Sequence, residues 1–291
     1  MPAPHHIENP FEFFLEKLSW AASDVDRALS APRPHTAQTP IVVRRIEARD
    51  LWDALRKGLA DLGAIRDDVL LIAVIYPVAG LVLARAALNN DLLPLVFPLA
   101  SGFALIGPLA AVGLYEMSRR REQGLPVAWR DGFDVLRSPA IGSIIGLGAV
   151  LLGLFSLWLA AAYEIYILTL GPEPPVSAAA FVQDVVSTGA GWTMISVGMV
   201  VGFLFAVVAL TISVVSFPLM LDRSVGLVTA ITTSVRAVAA NPGPMSLWGL
   251  IVAGSLVLGS APALIGLIIV MPVLGHASWH LYRKLIGEAE A

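Results

Sequence analysis

The 291-residue chain contains no cysteine. Disulfides, thiolate metal sites, iron–sulfur clusters and cysteine nucleophiles are therefore excluded. Charge is scarce as well: Asp, Glu, Lys and Arg make up 14 % of the residues, against about 25 % in soluble domains. The formal net charge of −3 gives no reason to expect nucleic acid, and the basic residues form no groove-like cluster. No basic segment followed by an apolar core opens the sequence, so no cleavable signal peptide is expected and the first membrane helix should direct insertion itself. A phosphate-binding loop, a nucleophile elbow, an HExxH motif and a convergent carboxylate pair are all missing, which makes an enzyme the less favoured expectation and implies no cofactor.

What the chain has in abundance is apolar sequence, 57 % of its residues, with a mean hydropathy of +0.77. Several windows exceed the roughly 18 apolar residues that a bilayer-spanning helix needs. The expected fold class is all-α, a polytopic transmembrane helical bundle. Six spans are expected at about 69–88, 92–117, 140–168, 192–221, 245–259 and 262–285. They read as three hairpins, each preceded by an amphipathic interfacial helix, at 50–65, 129–137 and 227–240, a weak internal repeat. On the first of these helices Leu51, Leu55, Leu59 and Leu62 fall on one side. The fifth span is short: 15–16 residues rise only about 24 Å against a hydrocarbon core of about 30 Å.

Two domains are expected. Residues 41–291 form the membrane domain, and residues 1–40 form an N-terminal extension. In the extension, Asn9 caps an amphipathic helix over 9–30 with Phe11, Phe14, Leu15 and Leu18 on its apolar face, followed by a proline-rich linker over 31–40. Its other face is acidic, which argues for docking on protein rather than on anionic lipid.

Charge placement predicts the topology. Arg44, Arg45, Arg56 and Arg66 precede the first span; Arg119, Arg120, Arg121, Arg130 and Arg137 lie between the second and third. Arg223 and Arg236 lie between the fourth and fifth, and Arg283 with Lys284 follow the sixth, whereas the opposite loops hold no Lys or Arg. By the positive-inside rule both termini are cytoplasmic, in a bacterial inner membrane. The loop 171–191 then faces outward, with 177–188 as a short surface helix.

Few residues bear chemistry. His276 and His280 are four apart and share a helix face; with Glu116 at similar depth they form a candidate metal or proton-relay cluster. The plainer reading places His280 in the headgroup zone beside Trp279 and Tyr282, His276 in a hydrogen bond to a neighbouring helix, and Glu116 in a helical salt bridge to Arg120. Arg85 and Glu164 are a candidate intramembrane ion pair, with snorkelling as its ordinary alternative. Arg119, Arg120 and Arg121 read as a lipid-headgroup anchor.

The stretches IGPLAAVGLYEMSRRREQG, NPGPMSLWGLIVAGSLVLG and MPVLGHASWHLYRK resemble a family of bacterial integral membrane proteins designated domain of unknown function 2189, over about residues 41–285. Members are sometimes labelled cytochrome c oxidase subunit I-like. A haem–copper core takes six membrane histidines on several helices, and here His5, His6 and His35 precede the spans while His276 and His280 share one helix, so the histidine count does not support that label.

The leading expectation is a non-catalytic accessory, assembly or interaction protein of a membrane complex, a respiratory one among the candidates, with the lipid bilayer and a membrane-protein partner or a second copy as its contacts. The alternative is a transporter or lipid-handling protein, since proline-broken helices in repeated hairpins line midplane sites in such folds. A metal or proton-relay role at His276, His280 and Glu116 is third.

Overall fold

The computed structural model describes residues 41–64, the isolated positions 78, 80, 81 and 85, and residues 93–262 and 264–288. The expected N-terminal helix and linker lie outside the described residues, as does all of the 69–88 span except isolated positions.

The described chain starts as a short strand, β1 (Ile41–Val43), and continues into α1 (Ala48–Ala64). Asp50 reaches back from the first turn of α1 to accept the Glu47 N–H at 2.9 Å, a capping contact. A 3₁₀ turn (Leu93–Leu95) leads into α2 (Val96–Ala110) and α3 (Val112–Glu122). The two are separated at Ala111, three residues after Pro108, which lies inside α2. The Pro98 carbonyl accepts the indole N–H of buried Trp158 at 3.0 Å and so ties α2 to the next long helix.

A second 3₁₀ helix (Trp129–Arg137) precedes α4 (Ile141–Leu170), which ends at Gly171 in the positive-φ conformation that suits glycine. Short α5 (Ala178–Ser187) follows, capped by Ser177. Next come α6 (Gly189–Ser213) and α7 (Ser216–Arg223), separated at Val214–Val215. That break is supported from α8 (Leu227–Ala240), where the Ser234 hydroxyl accepts the Val215 N–H at 3.3 Å and donates to the Thr211 carbonyl at 2.7 Å. The chain closes with α9 (Pro242–Ser260), α10 (Leu267–Leu285) and β2 (Ile286–Glu288), which pairs antiparallel with β1.

Four helical stretches among the described residues are long and apolar enough to cross a membrane: Leu93–Glu122, Ile141–Leu170, Gly189–Arg223 and Pro242–Ser260. The last corrects the short expectation for 245–259. Pro242 sits in the first turn, where its missing N–H costs nothing, and the helix reaches 19 residues, about 28 Å. α10 is not among the four, because its second half carries His276, His280, Arg283 and Lys284.

Packing is uneven along this bundle. The apolar windows of the four stretches are only 29 %, 28 %, 33 % and 17 % buried, and α6 and α9 present Val200, Phe203, Leu250 and Leu258 outward. The tight core lies at the arginine-rich end, where Phe217, Leu219, Trp279, Leu281 and Leu285 are almost completely buried. There α1 and α10 form the most extensive helix–helix contact of the described residues.

Small residues make that contact close. The buried stripe of α1 is Leu51, Ala54, Gly58 and Asp61, with Leu62 beside it, spaced three and four apart as a packing seam requires. The expected leucine stripe is thus corrected: Leu55 is half-buried and Leu59 is exposed. Bulky leucines would hold the two backbones apart, and the smaller side chains let them meet.

Asn241 latches this end. Its side chain accepts the Ile46 N–H at 2.8 Å and donates to the carbonyls of Arg44 and Ala237, both at 3.0 Å. Asn241→Ala should leave those groups unpaired in a buried place and lower stability by about 1–3 kcal/mol. Thermal unfolding of the purified protein in mild detergent measures this, and an unchanged midpoint would show that the latch carries no load.

Candidate functional site

The polar core of the arginine-rich end is assembled from three helices. α3 supplies Ser118 and Arg121, one turn apart; α10 supplies His276 and His280, also one turn apart; α1 supplies Asp61. Asp61 is 5 % exposed, and Ser118 and His276 are fully buried.

Asp61 is the centre. Its Oδ2 accepts from the Ser118 hydroxyl at 2.5 Å and from His280 Nε2 at 2.9 Å, and its Oδ1 accepts from Arg121 Nη1 at 2.7 Å. Arg121 also donates to the Ala60 carbonyl at 2.7 Å. Three donors on one carboxylate are what a buried anion needs. Burial pushes the Asp61 carboxyl up, but the hydrogen bonds from His280 and Ser118 outweigh it, and the group lies below its ordinary 3.8.

The proton placement follows from this count. Ser118 has one hydrogen, and it is committed to Asp61. His276 Nδ1, 2.8 Å from the Ser118 oxygen, must therefore carry a hydrogen and donate it. Nε2 of His276 is left buried without a hydrogen-bond partner. The order is histidine, serine, carboxylate, with the serine in the middle. A nucleophilic serine needs the histidine in the middle as its base. This arrangement fixes the serine proton rather than removing it.

The sequence-derived candidates separate accordingly. His276 and His280 come together, on Asp61 and Ser118. Glu116, though 5 % exposed, is turned to Arg119: Arg119 Nη2 donates to it at 3.1 Å, and Arg119 Nε lies 2.9 Å from its Oε2 as an ion pair without hydrogen-bond alignment. The expected Glu116–Arg120 pairing is thereby corrected. Arg120 reaches Asp134 at 2.7 Å and Asp131 at 3.3 Å instead. With Arg121 on Asp61, and Arg119 Nη1 also donating to the Leu221 carbonyl of α7 at 3.3 Å, all three arginines of the run join elements of the chain. Arg85 and Glu164 are both exposed on the chain's own surface and form no ion pair with each other. No group of three His, Asp or Glu positioned to hold a metal ion occurs among the described residues.

A rim of pairs surrounds the core. Trp279 Nε1 donates to Glu122 at 3.0 Å, and Tyr282 donates to Asp222 at 2.6 Å. Lys284 pairs with Asp53 at 2.8 Å, and Arg283 with Glu122 at 3.2 Å. The hydrogen bond from Lys284 holds the Asp53 carboxyl below its ordinary value. The last turns of α10 thus bind α1, α3 and α7 at once.

Sequence reasoning found the histidine pair but missed Asp61, Ser118 and Arg121 as its partners. The small-residue stripe Ala54–Gly58–Asp61 was the available signal.

The lowered Asp61 carboxyl fixes the sign of a pH effect. Its stabilising contribution is fully present above the unfolded value near 3.8 and is lost as pH falls through the lower folded value. The unfolding midpoint should therefore drop below about pH 4 more steeply for the native protein than for Asp61→Asn. Parallel slopes in detergent melts would show that Asp61 is not a buried anion.

Long apolar helices, outward-facing apolar side chains and a polar joint at one helix end define an all-α integral membrane protein. Residues 96–222 match the family model described as "Predicted integral membrane protein (DUF2189)". The match covers α2 to α7, a narrower stretch than residues 41–285. No curated protein and no solved structure matches the chain significantly.

Proposed function

We propose that this is a non-catalytic multi-pass protein of the bacterial inner membrane that works by interaction, as an accessory or assembly element of another membrane complex. One observation carries this reading: the contrast between the tightly joined arginine-rich end and membrane helices that bury no more than 33 % of their apolar windows. Helices so lightly packed against their own chain leave long apolar faces, notably on α6 and α9, for lipid and for the helices of a partner. The centred, proton-fixing geometry of Ser118 supports the same reading, because it rigidifies a joint and presents no poised nucleophile.

The topology proposed with it has six spans and cytoplasmic termini, α10 being the sixth and 69–88 the first. A phosphatase reporter fused within 171–191 should then be active, because that loop faces outward, and an inactive fusion there would invert the topology. Purification in mild detergent from native membranes should return a second membrane protein in stoichiometric amount. Recovery of this chain alone would remove the basis of the interaction reading.

A further inference from the structure

Three of the long apolar stretches end around one cavity of about 260 Å³. Arg119 and Arg120 come from the end of α3, Asp222 from α7, and Arg137 from the residues just before α4. Each is a place where an apolar helix meets its polar flank, so the cavity sits at headgroup depth. Its volume is below the roughly 300–1,000 Å³ of sites for drug-sized ligands, and suits a small polar group.

The charges in its wall decide which group. Arg119, Arg120 and Arg137 face Glu116, Asp134 and Asp222, so the wall has no net sign. A simple anion is attracted by one half and repelled by the other, as is a simple cation. A ligand with a phosphate beside a primary ammonium gains from both. Hydrogen-bonding capacity is also free for it: the Arg137 side chain is 89 % exposed with only a 3.8 Å approach to Asp134. On the same 3₁₀ helix as Asp134 and Arg137, Phe133 and Leu136 are exposed, an apolar surface for acyl chains.

We propose that this cavity binds the headgroup of an aminophospholipid of the phosphatidylethanolamine type. The phosphate lies toward Arg120 and Arg137, the ammonium toward Asp134, and the acyl chains against Phe133 and Leu136. This assignment needs the membrane location but not the interaction role.

The test is thermal unfolding of the full chain in maltoside micelles, with phosphatidylethanolamine, phosphatidylcholine, phosphatidylglycerol or soluble phosphoethanolamine added in separate arms. Phosphatidylethanolamine should raise the midpoint by several degrees more than either other lipid, and native mass spectrometry should retain one such lipid per chain. Arg137→Gln should at least halve that increment while leaving the lipid-free midpoint unchanged, because the side chain is exposed. Asp134→Asn should reduce the preference over phosphatidylcholine. Equal shifts from all three lipids, an equal shift from soluble phosphoethanolamine, or a full increment in Arg137→Gln would each overturn the proposal.

Discussion

Asp61→Ala should destabilise the protein by about 3 kcal/mol, a fall on the order of 10 °C in its detergent melting midpoint. The substitution leaves the Ser118 hydroxyl and the His280 Nε2–H without an acceptor, and it removes the anchor that orients Ser118 toward His276. Ser118 and His276 are fully buried, and the His280 side chain is 12 % exposed, so water cannot replace the carboxylate cheaply. The Arg121 contribution is smaller, since that side chain is 38 % exposed and can turn to solvent. Asp61→Asn does not rescue, because one end of the amide presents donors to donors. Asp53→Ala supplies the comparison: Asp53 pairs with Lys284 at a 38 % exposed site, and its removal should cost less than about 1 kcal/mol. If the two variants melted together, Asp61 would not be holding the three helices.

The contrast between Asp53 and Asp61 explains why the fold class was legible and the joint was not. Apolar windows of 18 or more residues announce membrane helices without reference to anything else in the chain. Prolines are a weaker signal: the chain breaks at Val214–Val215, just before Pro218, but Pro272 lies inside the unbroken α10. Asp53 and Asp61 look alike in sequence, two acids on one amphipathic helix. Which of them is buried depends on where α10 crosses α1, a contact between residues more than two hundred positions apart. The histidines were found because their spacing lies within one helix, and their partners were missed because Asp61 and Ser118 come from elsewhere. Glu116 was grouped with the histidines by depth alone. Depth fixes one coordinate, whereas the side chain turns around its helix toward Arg119. The leucines of α1 misled for a related reason. Hydrophobicity marks a face that avoids water, but close helix contact selects small residues, and at the end of a membrane bundle both faces have apolar company.

That reasoning makes Gly58 the most sensitive position on α1. A Cβ built there would lie 2.6 Å from the Ala277 nitrogen and 2.8 Å from the Val273 oxygen. Both are backbone atoms of α10 and cannot rotate aside, so Gly58→Ala should force the helices apart at a cost of about 3 kcal/mol. Gly275→Ala is the milder control, because its Cβ would meet the Leu114 side chain, whose outer carbon can change rotamer. Separation of α1 from α10 also draws Asp61 away from His280. The two large effects therefore have one cause. Once Gly58→Ala has opened the seam, Asp61→Ala has less left to break, and the double variant should lose clearly less than the sum of the single losses. Hydrogen exchange over α1 should rise in each single variant and little further in the double. Strict additivity of the melting losses would refute the shared seam and leave Gly58 and Asp61 as separate defects.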